Sequence, residues 1–312
     1  MPLPLRLDGL LAKIESTYGT DSVPVAATDA VRVSERVWSS FTPDYAWDNL
    51  RDEMAWGAIL PGKPALPRGR FARIVVAWEA KGAGATYVGL ANSPEALALL
   101  RACGMTQANP SDTITYVQAS QSHDSCTIYA YAGGMLFKVV GCRGRMRWPI
   151  TAGQLGIIRF EMIGILTADP ADTALPAITY DSPEPIASVN MGLTVGAWTP
   201  DVISGEFDQG VDPQRLDSAN GADGIKEYDY GEATPLMTLT AKAVALATYN
   251  PHADLKARTA RAINLTWGAA QYDRVLLAIT NAYINSIKHT NQNGFAGWEL
   301  EYKPTDWTIS FT

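Results

Sequence analysis

Cysteine and histidine are scarce in this chain, with three of each in 312 residues. Cys103, Cys126 and Cys142 are odd in number and contain no C-x-x-C pair, which argues against a disulfide framework and against a zinc site. His123, His252 and His289 are scattered and form no H-E-x-x-H motif. Long hydrophobic runs are missing too. No stretch approaches the roughly 18 apolar residues that a membrane helix needs. The segment Met1 to Ile14 is mildly apolar but has neither a basic leader region nor a cleavage site. These absences lead us to expect synthesis in a cytoplasm and no membrane partner. Excess positive charge is absent as well: 25 Lys+Arg stand against 32 Asp+Glu, a net charge of -7. Tight binding of nucleic acid rests on clustered Lys and Arg, so this composition argues against it.

What is present is a globular balance, 47% hydrophobic and 18% charged, with nine Trp and thirteen Tyr. That is ample for one large core or two medium ones. The dominant pattern is alternation, the mark of half-buried strands. Ala72, Ile74, Val76 and Trp78 share one strand face, and Ile158, Phe160 and Met162 alternate with Arg159 and Glu161. Cys126–Tyr131 and Met135–Val140 flank Gly133-Gly134, a hairpin signal. Further strands are expected at Met191 to Val195, Met237 to Ala241, Ile263 to Trp267, Val275 to Ile279 and Trp298 to Tyr302. One helix is expected over about 93–104. Ser93-Pro94-Glu95 supplies a cap, a first-turn proline and an acid, and Gly104 is a natural terminator. Residues 1–27 read as an extended arm. Residues 167–185, with Asp169-Pro170, Leu175-Pro176 and Ser182-Pro183-Glu184-Pro185, read as a linker. The segments between them, 28–166 and 186–312, are the two expected modules.

The modules show signs of a common plan. Each begins with a strand and a Thr-Pro-Asp, Thr42-Pro43-Asp44 and Thr199-Pro200-Asp201, followed by a long polar loop and ending in paired strands. Placing Gln154 on Gln292 puts Phe160 on Trp298, Glu161 on Glu299 and Met162 on Leu300. Any two amphipathic strands aligned in phase would also match so, and chance is the rival explanation. Residues 251–258 are the expected reduced counterpart of the first helix.

Residues that invite a chemical reading mostly have a plainer one. Asp208, Asp212, Asp217 and Asp223 do not follow the order of a calcium-binding loop and read as a solvated loop. Asp44, Asp48, Asp52 and Glu53 could be a glycosidase pair, but a polar loop at a subunit interface explains them more simply. His123 lies among Ser122, Asp124 and Ser125 without a G-x-S-x-G elbow, and reads as a polar turn. Gly82-Ala83-Gly84 lacks the Lys-Ser/Thr of a phosphate loop and reads as a hairpin turn. Arg143, Arg145 and Arg147 alternate on one strand face. They are expected to pair with acids of a neighbouring module rather than with phosphate.

One set of motifs has a familiar order. Leu99-Leu100-Arg101-Ala102-Cys103-Gly104, then Thr115-Tyr116, then Gly141-Cys142-Arg143-Gly144, resembles the tail tube proteins of long-tailed, non-contractile bacteriophages. Ile14 to Asp21, Asp29-Ala30-Val31, Leu155 to Leu166 with Leu175-Pro176, and Asn220 to Ile225 with Tyr228 are similar to further parts of that family, so the likeness covers most of the chain. The resemblance implies a mainly β protein: two tandem β-sandwich or barrel-like modules, the first with one flanking helix, in the two-module subclass because the chain is long. It implies a structural siphovirus virion protein, no enzyme and no cofactor, that polymerises into stacked rings through which DNA passes during ejection without specific binding. Rings would be trimeric and pseudo-hexameric, or alternatively hexameric. The implied partners are copies of the chain, the tape-measure protein, and the terminator and distal tail proteins, assembled in the host cytoplasm. Candidate contacts between subunits or rings are Tyr18 in the arm and Tyr45, Trp47, Leu50, Met54 and Trp56 in the loop 41–70, which carries much apolar area for a solvated segment. No residue is assigned to the lumen. The arm is expected to be removable without loss of folding. The rival readings are an adhesin or carbohydrate-binding sandwich, with Trp47 and Trp56 as stacking platforms, and a hydrolase on a β scaffold.

Overall fold

A computed structural model describes residues 8–48, 66–87, 93–108, 112–167, 169–181, 183–189, 191–221 and 224–312. Leu50, Met54 and Trp56 lie outside the described residues, as do Asp52, Glu53 and Asp223. For Tyr45 and Trp47 only the backbone is described.

The protein is mainly β. In the first half come β1 (Gly9–Ile14), β2 (Ala30–Val31), a one-turn helix α1 (Val37–Ser40), β3 (Phe41–Asp48), β4 (Leu66–Glu79), α2 (Leu97–Ala102), β5 (Met105–Ala108), β6 (Ile114–Gln118), β7 (Cys126–Ala132), β8 (Met135–Thr151), β9 (Ile157–Leu166) and β10 (Ala171–Asp172). The second half holds β11 (Gly192–Val195), β12 (Val202–Asp208), β13 (Val211–Asp217), β14 (Ile225–Ala233), β15 (Leu236–Lys242), α3 (Pro251–Ala257), β16 (Arg261–Trp267), β17 (Val275–Gln292) and β18 (Phe295–Phe311).

Both halves repeat one antiparallel strand order. In the first it runs β3-β4-β9-β8-β7-β1, and in the second β12-β15-β18-β17-β16-β11. Register repeats along with order. Val76 faces Phe160 as Ala241 faces Trp298, and Ile74 faces Met162 as Leu239 faces Leu300. Surface charge follows suit: Arg145 pairs with Glu161 at 2.6 Å, and Lys288 with Glu299 at 2.7 Å. The helix α3 stands where α2 stands in chain order. Asn250 caps it by accepting from the Ala253 amide at 3.0 Å, and Pro251 opens its first turn.

Alternation explains the strands. Ala72, Ile74, Val76 and Trp78 are buried in β4, as are Ile158, Phe160 and Met162 in β9. Gly133 and Gly134, both at positive φ, make the turn between β7 and β8. One hydrophobic cluster runs through both halves. Trp148 of β8 meets Trp267 of β16 with ring centroids 4.8 Å apart, and Phe311 touches both Trp78 and Tyr116.

Four expectations need correction. The first is the N-terminal arm. Over 9–14 it is β1, hydrogen-bonded to β7 along its whole length, with Leu10 and Leu11 buried. Its apolar run lacks a period because both faces are covered, by the main core and by a small cluster with Leu175, Ile178 and Tyr180 packed on it. The same packing fastens much of the expected linker to the first half. The second is the helix, which begins at Leu97 rather than Ser93. Glu95 is drawn away from the helix end. It pairs with the buried Lys81 at 2.8 Å and accepts from the amides of Arg32 and Asp181. The third is the Asp-rich loop: Asp208, Asp212 and Asp217 lie in β12 and β13, and β13 and β14 form a hairpin of their own. The fourth is Gly82, which is no hairpin turn. A Cβ there would stand 2.1 Å from the carbonyl oxygen of Tyr272, so a glycine is needed for the second half to approach.

Candidate assembly surfaces

The features that bear on assembly are strand edges and faces. The first such feature is internal, the seam between the halves. β8 is long enough to hold β7 at its first end and β12 at its second, Arg147 to Thr151 lying against Asp208 to Ser204. β18 likewise holds β15 and then β6, Phe311 facing Ile114. The sixteen-stranded sheet is therefore continuous across the halves.

The alternating arginines cross this seam as expected. Arg145 bridges Glu161 and Asp212, the latter at 2.9 Å. Arg147 lies 3.0 Å from Asp208 and 3.6 Å from Glu161. Its Nε makes the Asp208 contact as an ion pair rather than as an aligned hydrogen bond. Arg143 is 5% exposed and meets Asp229 at 3.0 Å and Glu227 at 3.6 Å. It also donates to the carbonyls of His123, Asp124 and Tyr228. All the acids except Glu161 come from the second half.

Hairpin β13–β14 thereby clamps the second half onto the first. His123 sits 2.8 Å from Asp229 through Nδ1, so it belongs to this clamp rather than to a free turn. Burial alone would raise the Asp229 carboxyl. The His123 hydrogen bond, the Tyr230 amide and the Arg143 charge outweigh it and hold the group below the usual carboxylate range. Tyr230 donates to the carbonyls of Ala102 and Gly144.

Tyr18, a sequence candidate for contact between subunits, is engaged within the chain. Its hydroxyl accepts from the Tyr228 amide at 2.8 Å, and the Arg143 guanidinium lies 5.1 Å from its ring centre. The ring packs on Gly141, where a Cβ would come within 2.7 Å of it and φ is +61°. Burial pushes the phenol pKa upward. Nearby, the buried Glu15 accepts from Ser125, Thr127 and the amides of Gly19 and Gly141, locking the segment after β1. Sequence reading missed this hub, and no local pattern announces it, because three of the four donors to Glu15 lie more than a hundred residues away.

Among the strand edges without a partner in the described residues, two stand out. β3, which holds the backbone of Tyr45 and Trp47, pairs with β4 alone. β17 pairs with β18 throughout, but on its other edge β16 stops at Ala282, leaving Tyr283 to Gln292 bare. Asn285, Lys288, His289 and Asn291 are exposed, whereas no residue from Cys142 to Arg147 or in the β12-paired end of β8 is. Sequence reading ended this strand at Ile279. The available signal was Asn293-Gly294, both at positive φ, which marks a tight hairpin and requires strands up to it. His252 and His289, far apart in sequence, come to 5.6 Å between ring centres where α3 meets β17.

Compared with known families, residues 8–293 match the one described as phage tail tube protein. No curated protein matches the chain.

Proposed function

The chain belongs to the phage tail tube protein family, structural components of the virion tail, and from that premise we propose that it builds its tube from two modules per chain. The modules are 28–166, completed by β1 from the segment before it, and 186–312, copies of one ancestral unit, and three chains make a ring with six module positions. The repeated strand order, carried in one continuous sheet that ends in bare edges, is the observation behind this reading. Ring closure by strand pairing removes edges that otherwise invite uncontrolled aggregation, and heterologous stacking of rings extends the tube. The virus is of the long-tailed, non-contractile kind. The chain is assembled in the host cytoplasm around a tape-measure protein, ends at terminator and distal tail proteins, and has no catalytic task.

The sheet face opposite the core is the proposed channel lining. It bears Glu206, Glu299, Glu301, Lys288 and Lys303 in the second half, and Arg73, Arg145, Arg147 and Arg159 in the first. Acids already neutralise most of these cations: Glu161, Asp208, Asp212 and Glu35 hold Arg145, Arg147 and Arg159. DNA sliding past meets few free cations to retain it. Tyr45, Trp47, Leu50, Met54 and Trp56 remain proposed contacts with neighbouring chains, on composition alone. Electron microscopy of the concentrated, purified chain tests the reading. Tubes with a regular axial repeat are expected, and a chain that stays monomeric under all assembly conditions would refute it.

A further inference from the structure

The internal seam is a template for the seam between chains. β3 occupies in the first half the place that β12 has in the second, and β17 the place of β8. The registers fix which residues correspond. Pro43 faces Ala72 as Phe207 faces Met237, so Pro43 stands for Phe207 and Asp44 for Asp208. Met146 faces Phe160 as His289 faces Trp298, so Asn291 stands for Trp148 and Thr290 for Arg147. Within the chain, Phe207 faces Trp148 and Asp208 faces Arg147. We propose that β3 of one copy adds antiparallel to the bare edge of β17 in the next, with Thr42 opposite Gln292, Asp44 opposite Thr290 and Ala46 opposite Lys288.

Two independent features agree with that register. In an antiparallel strand the backbone groups of alternate residues point to opposite edges. In β12 the carbonyl of Ile203 accepts from Ala152, and the amide of Gln209 donates to Met146, so the odd-numbered residues of β12 turn toward β8. Phe207 is among them, which turns its counterpart Pro43 toward the bare edge of β3. A proline has no amide hydrogen to offer and is tolerated in a sheet where that position faces outward. The second feature is the tight turn at Asn293-Gly294, which commits Gln292 and Thr290 to hydrogen bonding with β18 and leaves the amides of Asn291 and His289 pointing outward. Both edges thus present free groups at matching positions, with Pro43 serving as acceptor only. Thr42 and Gln292 become a pair without mutual hydrogen bonds, whose Cα atoms approach to about 4.5 Å, within disulfide reach.

This inference rests on the tube reading, and the experiment separates the two. The double variant Thr42→Cys, Gln292→Cys is assembled under reductant and then oxidised. The three native cysteines are buried and stay silent. The expected result on a non-reducing gel is a covalent ladder that stops at three chains, with the single variants giving none and the shifted pair Thr42→Cys, Thr290→Cys giving at least tenfold less. Tubes that form but yield no such ladder overturn the register and leave the tube reading standing. A wild-type chain that never forms tubes removes both. Should the cysteine variant fail to assemble even when reduced, hydrogen exchange on wild-type tubes decides. The Asn291 and His289 amides slow at least tenfold on assembly if the seam is right, and an unchanged rate overturns it.

Discussion

At the scale of single residues, ion pairs in the two halves do different work. Arg143 is sunk among backbone carbonyls and two acids of the β13–β14 hairpin, so removing it leaves buried acceptors without a donor. Arg143→Ala is expected to lower stability by about 3–5 kcal/mol, read from urea unfolding. Lys288, paired with Glu299 on an open surface, gains little from its partner. Lys288→Ala should leave the urea midpoint nearly unchanged. Equal effects at the two positions would contradict the clamp. The acid side of the clamp sets a pH dependence. Asp229 is held below its ordinary value, so its contribution is complete above the ordinary carboxylate range near 3.8 and is lost as pH falls through the lower folded value. Urea midpoints should therefore drop as pH is lowered through and below that range, and Asp229→Asn should flatten that drop. A slope unaffected by the substitution would count against the assignment.

At the scale of elements, the strands of both cores were legible because half-buried strands advertise themselves by alternation. Phe160 with Glu161 and Met162, and Trp298 with Glu299 and Leu300, carry the repeat in three residues each. What escaped were elements defined by distant partners. β1 is covered on both faces and so loses its alternation. β13 and β14 look like a polar loop because their partners are arginines of the other half. The helix lost its expected first turn because Lys81, a buried cation in need of a carboxylate, takes Glu95. Of the sequence candidates for subunit contact, Tyr18 turned inward to Arg143 and Tyr228, a destination set by the fold and not by its neighbours in the chain. The burial of β1 reverses the arm expectation. Deleting residues 2–27 should abolish cooperative folding, because it strips β7 of its partner and opens the core. The smaller change Leu10→Ala should cost about 2–5 kcal/mol. Circular dichroism and thermal melting of the two proteins check this, and a truncated chain with an unchanged melt would restore the free arm.

At the scale of the molecule, the chain is a sheet that begins again before it has ended. Within one chain the second unit's first edge strand has already found the first unit's long strand, and tryptophans from both halves close the space behind that junction. The proposed polymer repeats this solved contact at the corresponding pair of edges, where the exposed polar stretch of β17 meets β3. Cryo-microscopy of assembled tubes, resolved well enough to trace strands, tests this most directly. It should show three chains per ring in six near-equivalent positions, with β3 laid along β17 of the neighbour. Six chains per ring, each lending only one of its halves to the channel wall, or rings in which both edges stay bare, would contradict it.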